Sequence, residues 1–442
     1  MSERKDKYID NFRKMLQQDT VSEEGNINPE KFREFHKLLK TLFPNIFEAC
    51  EVMDFEGSLL LRWKGADSGA EKKLPVMFMN HMDVVSAEGD WEHEPFSGDV
   101  ADGAIWGRGA VDTKCGLWAM LQAADELAAE GFVPERDIFF ESACTEETFG
   151  EGAIAISRWL LDNGIRLDMS FDEGGMVMYD PIGGAKGTFA MVGVGEKGCS
   201  NIRFIARSEG GHASTPGKNT PLVRLGKFMA YVERHEVFDV EMSPTIKEMF
   251  RRIAPYMGSL GKIVGNPDKL EPVLNRVLPK FSATAGALLK TTLAFTMAKG
   301  AESSNALPTE AWVVGNMRSS HHQGERASLE AIRKIAAKFD IEIDVFDPGV
   351  ESRLTDYKGE AFRLVEEATR ATMPNVDEVV PYVMTGASDS RFYDGVCNQC
   401  IRFLPFTINE QQLESIHGIN ENMSIDALIP AVEWYRYLMK KM

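Results

Sequence analysis

The chain has 442 residues, 44% of them hydrophobic and 26% charged, and a formal net charge of −18 at neutral pH. That length exceeds what one hydrophobic core organises, so two domains, or one large domain with an insertion, is the starting expectation. The apolar content is that of a globular protein, and the acidic balance argues against nucleic acid or an anionic membrane as the main partner.

The first residues, Met1-Ser2-Glu3-Arg4-Lys5-Asp6, are charged and run into an amphipathic helical pattern at Tyr8, Ile9, Phe12, Met15 and Leu16. They contain no apolar core of the signal-peptide kind, and no window reaches the roughly 18 apolar residues of a membrane span. Six cysteines, at 50, 115, 144, 199, 397 and 400, are scattered along the chain. That distribution predicts reduced thiols and a cytoplasmic protein. Cys397-Asn398-Gln399-Cys400 lacks the second pair of a zinc ribbon, and a thiol-redox role there is a rival that would survive chelation.

Phe12 to Leu42 reads as mainly helical, Leu74 to Asn80 as a short buried strand and Thr113 to Glu130 as a strong helix. A strand at Arg136–Cys144, a helix at Gly152–Asn163 and a strand at Leu167–Phe171 come next. This alternation predicts an α/β layer structure with helices over a largely parallel sheet. Ligands of such sheets collect at the carboxyl ends of the strands.

The texture changes near residue 196. Strands at Ser200–Ala206, Glu310–Met317 and Ile341–Phe346, with helices at Pro221–His235 and Glu325–Phe339, suggest a ferredoxin-like β-α-β-β-α-β unit. Within it, 243–300 reads as a Met- and Leu-rich helical insertion that builds an interface or covers the site. From 350 the α/β pattern returns and ends in a helix at Pro430–Lys441. The expected organisation is one α/β domain in two parts, 1–195 and 350–442, interrupted by an α+β domain at 196–349.

Acids and histidines cluster where strands should end. His81 and Asp83 are two apart, so in extended chain they share a face, and a carboxylate beside an imidazole fixes tautomer and ring direction for metal binding. Asp112 closes the glycine-rich turn Gly107-Arg108-Gly109-Ala110-Val111, where it would also serve as an N-cap. Glu146-Glu147 comes after one apolar strand and Asp172-Glu173-Gly174-Gly175 after another; His417 lies in a glycine-flanked loop. Adjacent carboxylates past a buried strand are costly unless positive charge sits between them. Nitrogen and carboxylate ligands without thiolates suit zinc or manganese, with cobalt possible. The count is sufficient for two metals about 3.5–4 Å apart plus a free acid for proton transfer.

These motifs resemble the M20 peptidases, co-catalytic zinc hydrolases of carboxypeptidase, aminoacylase and dipeptidase type. Asn80-His81-Met82-Asp83-Val84-Val85 resembles the family's first metal motif. Trp91–Phe96 with Gly107–Lys114 resembles its second, and Thr145-Glu146-Glu147 its pair of base and ligand. Gly210–Ser214, Gly315–Arg318, Gly386–Arg391 and the His417 loop are similar to later motifs, although Thr385-Gly386-Ala387-Ser388-Asp389 departs from the usual small-residue stretch. The Asp172–Gly175 form and the insertion resemble the branch of carboxypeptidase S and the N-acyl-amino-acid hydrolases.

The resemblance implies a zinc-peptidase-like catalytic domain with an inserted lid and dimerisation domain, and two divalent ions, zinc first and cobalt or manganese otherwise. Asp112 would bridge them. His81 with Asp172 or Glu173 would hold one ion, and Glu147 with His417 the other; sequence leaves the choice between Asp172 and Glu173 open. Asp83 would orient His81. Glu146 would be the general base that takes a proton from the attacking water and returns it to the leaving nitrogen, a role that needs a raised pKa. His212 would stabilise the oxyanion, arriving from a partner subunit of a homodimer. Arg318 would grip a substrate carboxylate, with Asn305 a carbonyl donor; His321 and His322 are expected on an exposed loop. The implied reaction is hydrolysis of an amide next to a free carboxylate, in a short peptide or, alternatively, an N-acyl amino acid. A binding protein that keeps the fold without the chemistry is the rival, and it would not need Glu146.

Overall fold

The computed structural model describes residues 2–66, 73–281 and 283–442. Its larger sheet has ten strands. The order runs Cys50–Phe55, Ser58–Trp63, Ile138–Ser142, Val76–Met79, Leu167–Asp172, Cys397–Arg402, Thr188–Glu196, Val177–Tyr179 and Thr407–Ile408, and Glu378–Met384 also pairs with Thr188–Glu196. The centre, from Ile138–Ser142 through Val76–Met79 and Leu167–Asp172 to Cys397–Arg402, is parallel. The Cys50–Trp63 hairpin and the Val177–Glu196 pair add antiparallel margins. The parallel expectation therefore holds for the core of the sheet and for the pairs Thr407–Ile408 with Val177–Tyr179 and Glu378–Met384 with Thr188–Glu196, and fails at the antiparallel pairs between them and at the Cys50–Trp63 margin.

Val76–Met79 is buried along its whole length because helices cover both faces of the sheet. Its period of two separates the cores. Val76 and Phe78 join Trp118, Phe362 and Trp434 of the helices Lys114–Ala129, Glu360–Thr372 and Leu428–Met439. Met77 and Met79 face the other way, onto Ala153, Ile156 and Leu160 of Glu151–Asp162.

The second sheet is antiparallel, in the order Thr292–Lys299, Glu310–Ser319, Gly198–Arg207, Glu342–Asp347. Helices Pro221–Arg234 and Gly324–Ala337 pack on it through Leu225, Phe228, Ile332 and Ala336. The order and directions are those of a ferredoxin-like unit. Its fourth strand corrects the sequence reading, which placed 292–299 inside a helical insertion. Thr292–Lys299 is an edge strand with most side chains exposed, and its apolar residues, Leu293-Ala294-Phe295 and Met297-Ala298, continue the Leu- and Met-rich composition of the helices before it. The helices of the insertion are Pro244–Ile253, Gly258–Val264, Pro267–Phe281 and Ala283–Leu289. Ile246, Met249, Phe250 and Ile253 pack onto Phe189, Met191, Val380 and Val383 of the larger sheet. No helix among the described residues is long and apolar enough to cross a membrane.

Candidate metal centre

Three parallel strands end side by side, and the segments leaving their carboxyl ends carry the acids: His81 and Asp83 after Val76–Met79, Glu146 and Glu147 after Ile138–Ser142, and Asp172 and Glu173 at the end of Leu167–Asp172. Asp112 arrives from the loop before Lys114–Ala129. It does not cap that helix, whose N-cap position is Thr113. Instead its two oxygens diverge onto two imidazoles, Oδ1 at 3.1 Å from His81 Nε2 and Oδ2 at 3.0 Å from His417 Nε2. His417 Nε2 is also 3.1 Å from Glu147 Oε2. Ligand atoms of His81, Asp112 and Glu147 all lie within 4.8 Å of one another.

Asp83 is fully buried and does two jobs. His81 Nδ1–H donates to the Asp83 carbonyl oxygen at 3.0 Å, with Asp83 Oδ1 at 3.5 Å, which leaves Nε2 aimed at Asp112. The Asp83 carboxylate also accepts the backbone N–H of Glu146 at 3.2 Å and of Glu147 at 3.1 Å, and the Ser22 hydroxyl at 2.6 Å.

Asp172 and Glu173 separate in the way a strand end requires. Both oxygens of Asp172 are occupied by backbone amides, Oδ1 by Glu173 N–H and Oδ2 by Ser390 N–H, each at 2.8 Å. Glu173 lines the cavity with Asp112, Glu146, Glu147 and His417. Burial, then the charges of Asp112, Asp172 and Glu146, push its carboxyl well above the usual range.

Burial pushes Glu146 up to about 8; Glu147 adds repulsion, while His81 and Arg391 oppose the shift. Arg391 Nη1 is 3.8 Å from Glu146 Oε1. Hydrogen bonds to Asp112 and then Glu147 raise His417 to about 10. Burial alone would raise Asp112, but His417 and His81 hold it well below the ordinary carboxylate range. The donor set fits divalent cations of the zinc or manganese kind: two imidazoles, several carboxylates and no thiolate. Glu147 Oε1 is buried without a hydrogen-bond partner among the described residues, an acceptor that a cation would satisfy.

Glu421 was not anticipated. Fully buried, it accepts Val111 N–H at 2.7 Å and Asp112 N–H at 2.9 Å on Oε1, and Gly109 N–H and Arg108 Nη1, each at 2.9 Å, on Oε2. Arg108 Nη2 donates onward to the Gly418 carbonyl at 2.7 Å. One ion pair, between residues 313 apart in sequence, thus ties the Asp112 turn to the His417 loop. Nothing local in the sequence marks a carboxylate whose partners are that distant.

The cavity above the acids holds about 1000 Å³. Arg318 lines it from the smaller sheet, with its Nε donating to Asn316 Oδ1 at 2.9 Å. His212 and Asn305 do not line it. His212 is exposed on a short strand paired with Ala306, its Nδ1 2.7 Å from Ser214 Oγ, and the Asn305 carbonyl accepts Ala213 N–H beside it. His321 departs from the exposed-loop expectation: it is half-buried, and Nε2–H donates to the Ser352 carbonyl at 2.8 Å. Cys397 and Cys400 are buried free thiols that do not line the cavity.

Peptidase family M20/M25/M40 matches residues 77–441. The human N-fatty-acyl-amino acid synthase/hydrolase PM20D1 is 31% identical over 409 residues, covering 90% of this chain and 80% of that protein. A Dictyostelium discoideum protein named "Probable carboxypeptidase S-like 2" is 28% identical, covering 95% of this chain and 81% of that one. Among solved structures, an M20 family metallo-carboxypeptidase from Sulfolobus solfataricus shares the fold with a TM-score of 0.70 at 16% identity, over 98% of both chains. A family match over most of the chain, joined to a relative this similar across nine-tenths of it, settles membership: the chain belongs to peptidase family M20/M25/M40 and is an enzyme of its peptidase and amidohydrolase type.

Proposed function

We propose that this enzyme hydrolyses an amide bond adjacent to a free carboxylate, with N-acyl amino acids carrying apolar acyl groups as its preferred substrates. The observation that carries the reaction is Asp112 held between His81 and His417, with the buried carboxyl of Glu146 beside it. His81, Asp112 and Glu173 would hold one divalent ion and Asp112, Glu147 and His417 a second, zinc by preference and cobalt or manganese otherwise. When bound, the ions supply Lewis-acid polarisation and lower the pKa of water.

The chain's own residues do the rest. Glu146, largely shielded from solvent, takes the proton of the attacking water and holds it for the leaving nitrogen. Arg318 receives the substrate carboxylate, and its Nε bond to Asn316 sets the plane of the fork. The acyl side faces Met176, Met178, Met191, Met249, Leu288 and Met384, unbranched or flexible side chains that adapt to an apolar chain. The human relative named for N-fatty-acyl-amino acids supports this reading. Short peptides are the second reading, supported by the relative named carboxypeptidase S-like. His212, exposed and outside this chain's cavity, would reach the oxyanion of a second copy, which makes the active form a homodimer. We further propose that 196–349 moves as a lid on the catalytic parts 1–195 and 350–442, and that the protein is cytoplasmic.

The test is a matched screen of dipeptides and N-acyl amino acids of increasing acyl length with zinc, cobalt or manganese added. Hydrolysis is expected to favour apolar N-acyl amino acids and to stop on chelation. Faster turnover of dipeptides would transfer the assignment to the peptide reading, and activity that survives complete metal removal would refute both.

A further inference from the structure

The chain passes between its two larger sheets twice, outward where Thr188–Glu196 gives way to Gly198–Arg207 and back between Asp347 and Glu360. One buried ion pair touches both crossings. Arg402, the last residue of the strand Cys397–Arg402, and Glu196 are fully shielded from solvent, with Arg402 Nε 3.1 Å from Glu196 Oε2. Arg402 Nη2 donates to Ser352 Oγ on the return crossing at 2.9 Å, and Nη1 donates to the Cys400 carbonyl at 3.1 Å.

The same Glu196 oxygen accepts the Ser388 hydroxyl at 2.7 Å. Ser388 comes directly after Thr385, Gly386 and Ala387 of the cavity wall and precedes Arg391, whose Nη1 is 3.8 Å from Glu146 Oε1. On the other side of the outward crossing, buried Lys197 donates Nζ to the carbonyls of Ala287 at 3.0 Å and Lys290 at 2.8 Å. Those carbonyls close the helix Ala283–Leu289, whose Leu288 lines the cavity. Consecutive residues of extended chain point to opposite sides, so the crossing is gripped by the catalytic sheet through Glu196 and by the insertion through Lys197.

A buried ion pair is a poor source of stability, because desolvation takes back most of the Coulombic gain. What a guanidinium offers is a rigid fork whose several donors fix several partners at once. We infer that Arg402 and Glu196 are positioning residues, which hold the carboxylate-gripping side of the cavity, Arg318 with Asn201 and Asn316, in register with the loop that carries Arg391 beside Glu146. Only the kinetic part of this inference rests on the proposed hydrolase activity.

The test has an arm for each part. Glu196→Gln/Arg402→Gln removes both charges, so neither is left buried alone. Hydrogen exchange without substrate is expected to rise at both crossings together, residues 195–201 and 349–356; a rise at only one crossing, or at neither, overturns the inference whether or not the protein hydrolyses amides. Should that pair fail to fold, Ser352→Ala cuts the return tie alone and is expected to raise exchange at 349–356, and unchanged exchange there overturns it equally. Ser388→Ala leaves the ion pair in place and is expected to lower kcat about tenfold at unchanged metal content and KM, as small misplacements of a catalytic constellation do, with Ser388→Thr restoring the rate. A kcat that stays at the wild-type value, or that falls only in proportion to the folded fraction, refutes the positioning role.

Discussion

Asp83→Asn replaces one oxygen by an amide nitrogen and removes one charge at constant shape. Among the described residues, every polar group bonded to the Asp83 carboxylate is a donor: Ser22 Oγ and Glu147 N–H on Oδ2, Glu146 N–H on Oδ1, with His81 Nδ1 at 3.5 Å. Whichever way the new amide turns, its NH2 group therefore meets a donor. A buried donor left without an acceptor costs about 1–3 kcal/mol, and the surviving bonds fall from about 1.5–3 kcal/mol each toward the neutral value of about 0.5–1.5 kcal/mol. The expected loss is about 3–5 kcal/mol, within the range that only broken buried networks and similar defects reach. With an unfolding entropy of about 2.1 cal/mol/K per residue over this chain, that loss lowers Tm by about 3–5 °C. Cation affinity should also drop by about 10–100-fold, the usual cost of losing the group that orients a ligating histidine. Calorimetry of the metal-free protein reads the first effect, and metal content after dialysis reads the second. An unchanged Tm together with full metal content would refute the role given to Asp83.

Because Asp112 and Glu147 raise His417 to about 10, this imidazole is protonated at neutral pH in the metal-free protein and must lose that proton to bind a cation. Cation affinity should therefore fall as pH drops below 10, with about one proton released per ion at this subsite near pH 7; calorimetric titration in buffers of different ionisation enthalpy counts the protons, and none released would contradict the assignment. Glu421→Gln turns one of the two acceptor oxygens under the Asp112 turn into a donor, so metal content should fall by about tenfold in affinity while Arg318-dependent KM stays put; retained metal would show that Asp112 needs no such support. Met249→Trp fills the apolar side of the cavity and should slow hydrolysis of long N-acyl amino acids by at least about tenfold while sparing N-acetyl substrates, since each buried methylene is worth about 0.8 kcal/mol. Equal losses for short and long acyl chains would point to distortion of the site instead.

Much of the site was legible before folding was considered. His81, Asp83, Asp112, Glu146, Glu147 and His417 stand where apolar runs or glycine turns give out, and both features are local. A four-residue apolar run such as Val76–Met79 announces a covered strand, and the polar residues just beyond it must lie at a strand end. The edge strand Thr292–Lys299 escaped because its apolar residues continue the Leu- and Met-rich composition of the helical insertion that precedes it.

The rest was decided by which distant segments meet. Asp172 and Glu173 are interchangeable as letters; Ser390 N–H occupies the first, so the second faces the cavity. Glu421 under Asp112, Asp83 beneath the Glu146–Glu147 amides, and Arg402 between the two crossings are buried charges whose partners lie far away in the chain. Sequence alone determined the chemical groups and the strand ends that carry them, because composition and periodicity are properties of a few neighbouring residues. Only the tertiary structure decided which oxygen points where, because a buried charge is tolerated by the sum of donors that the whole fold brings to it.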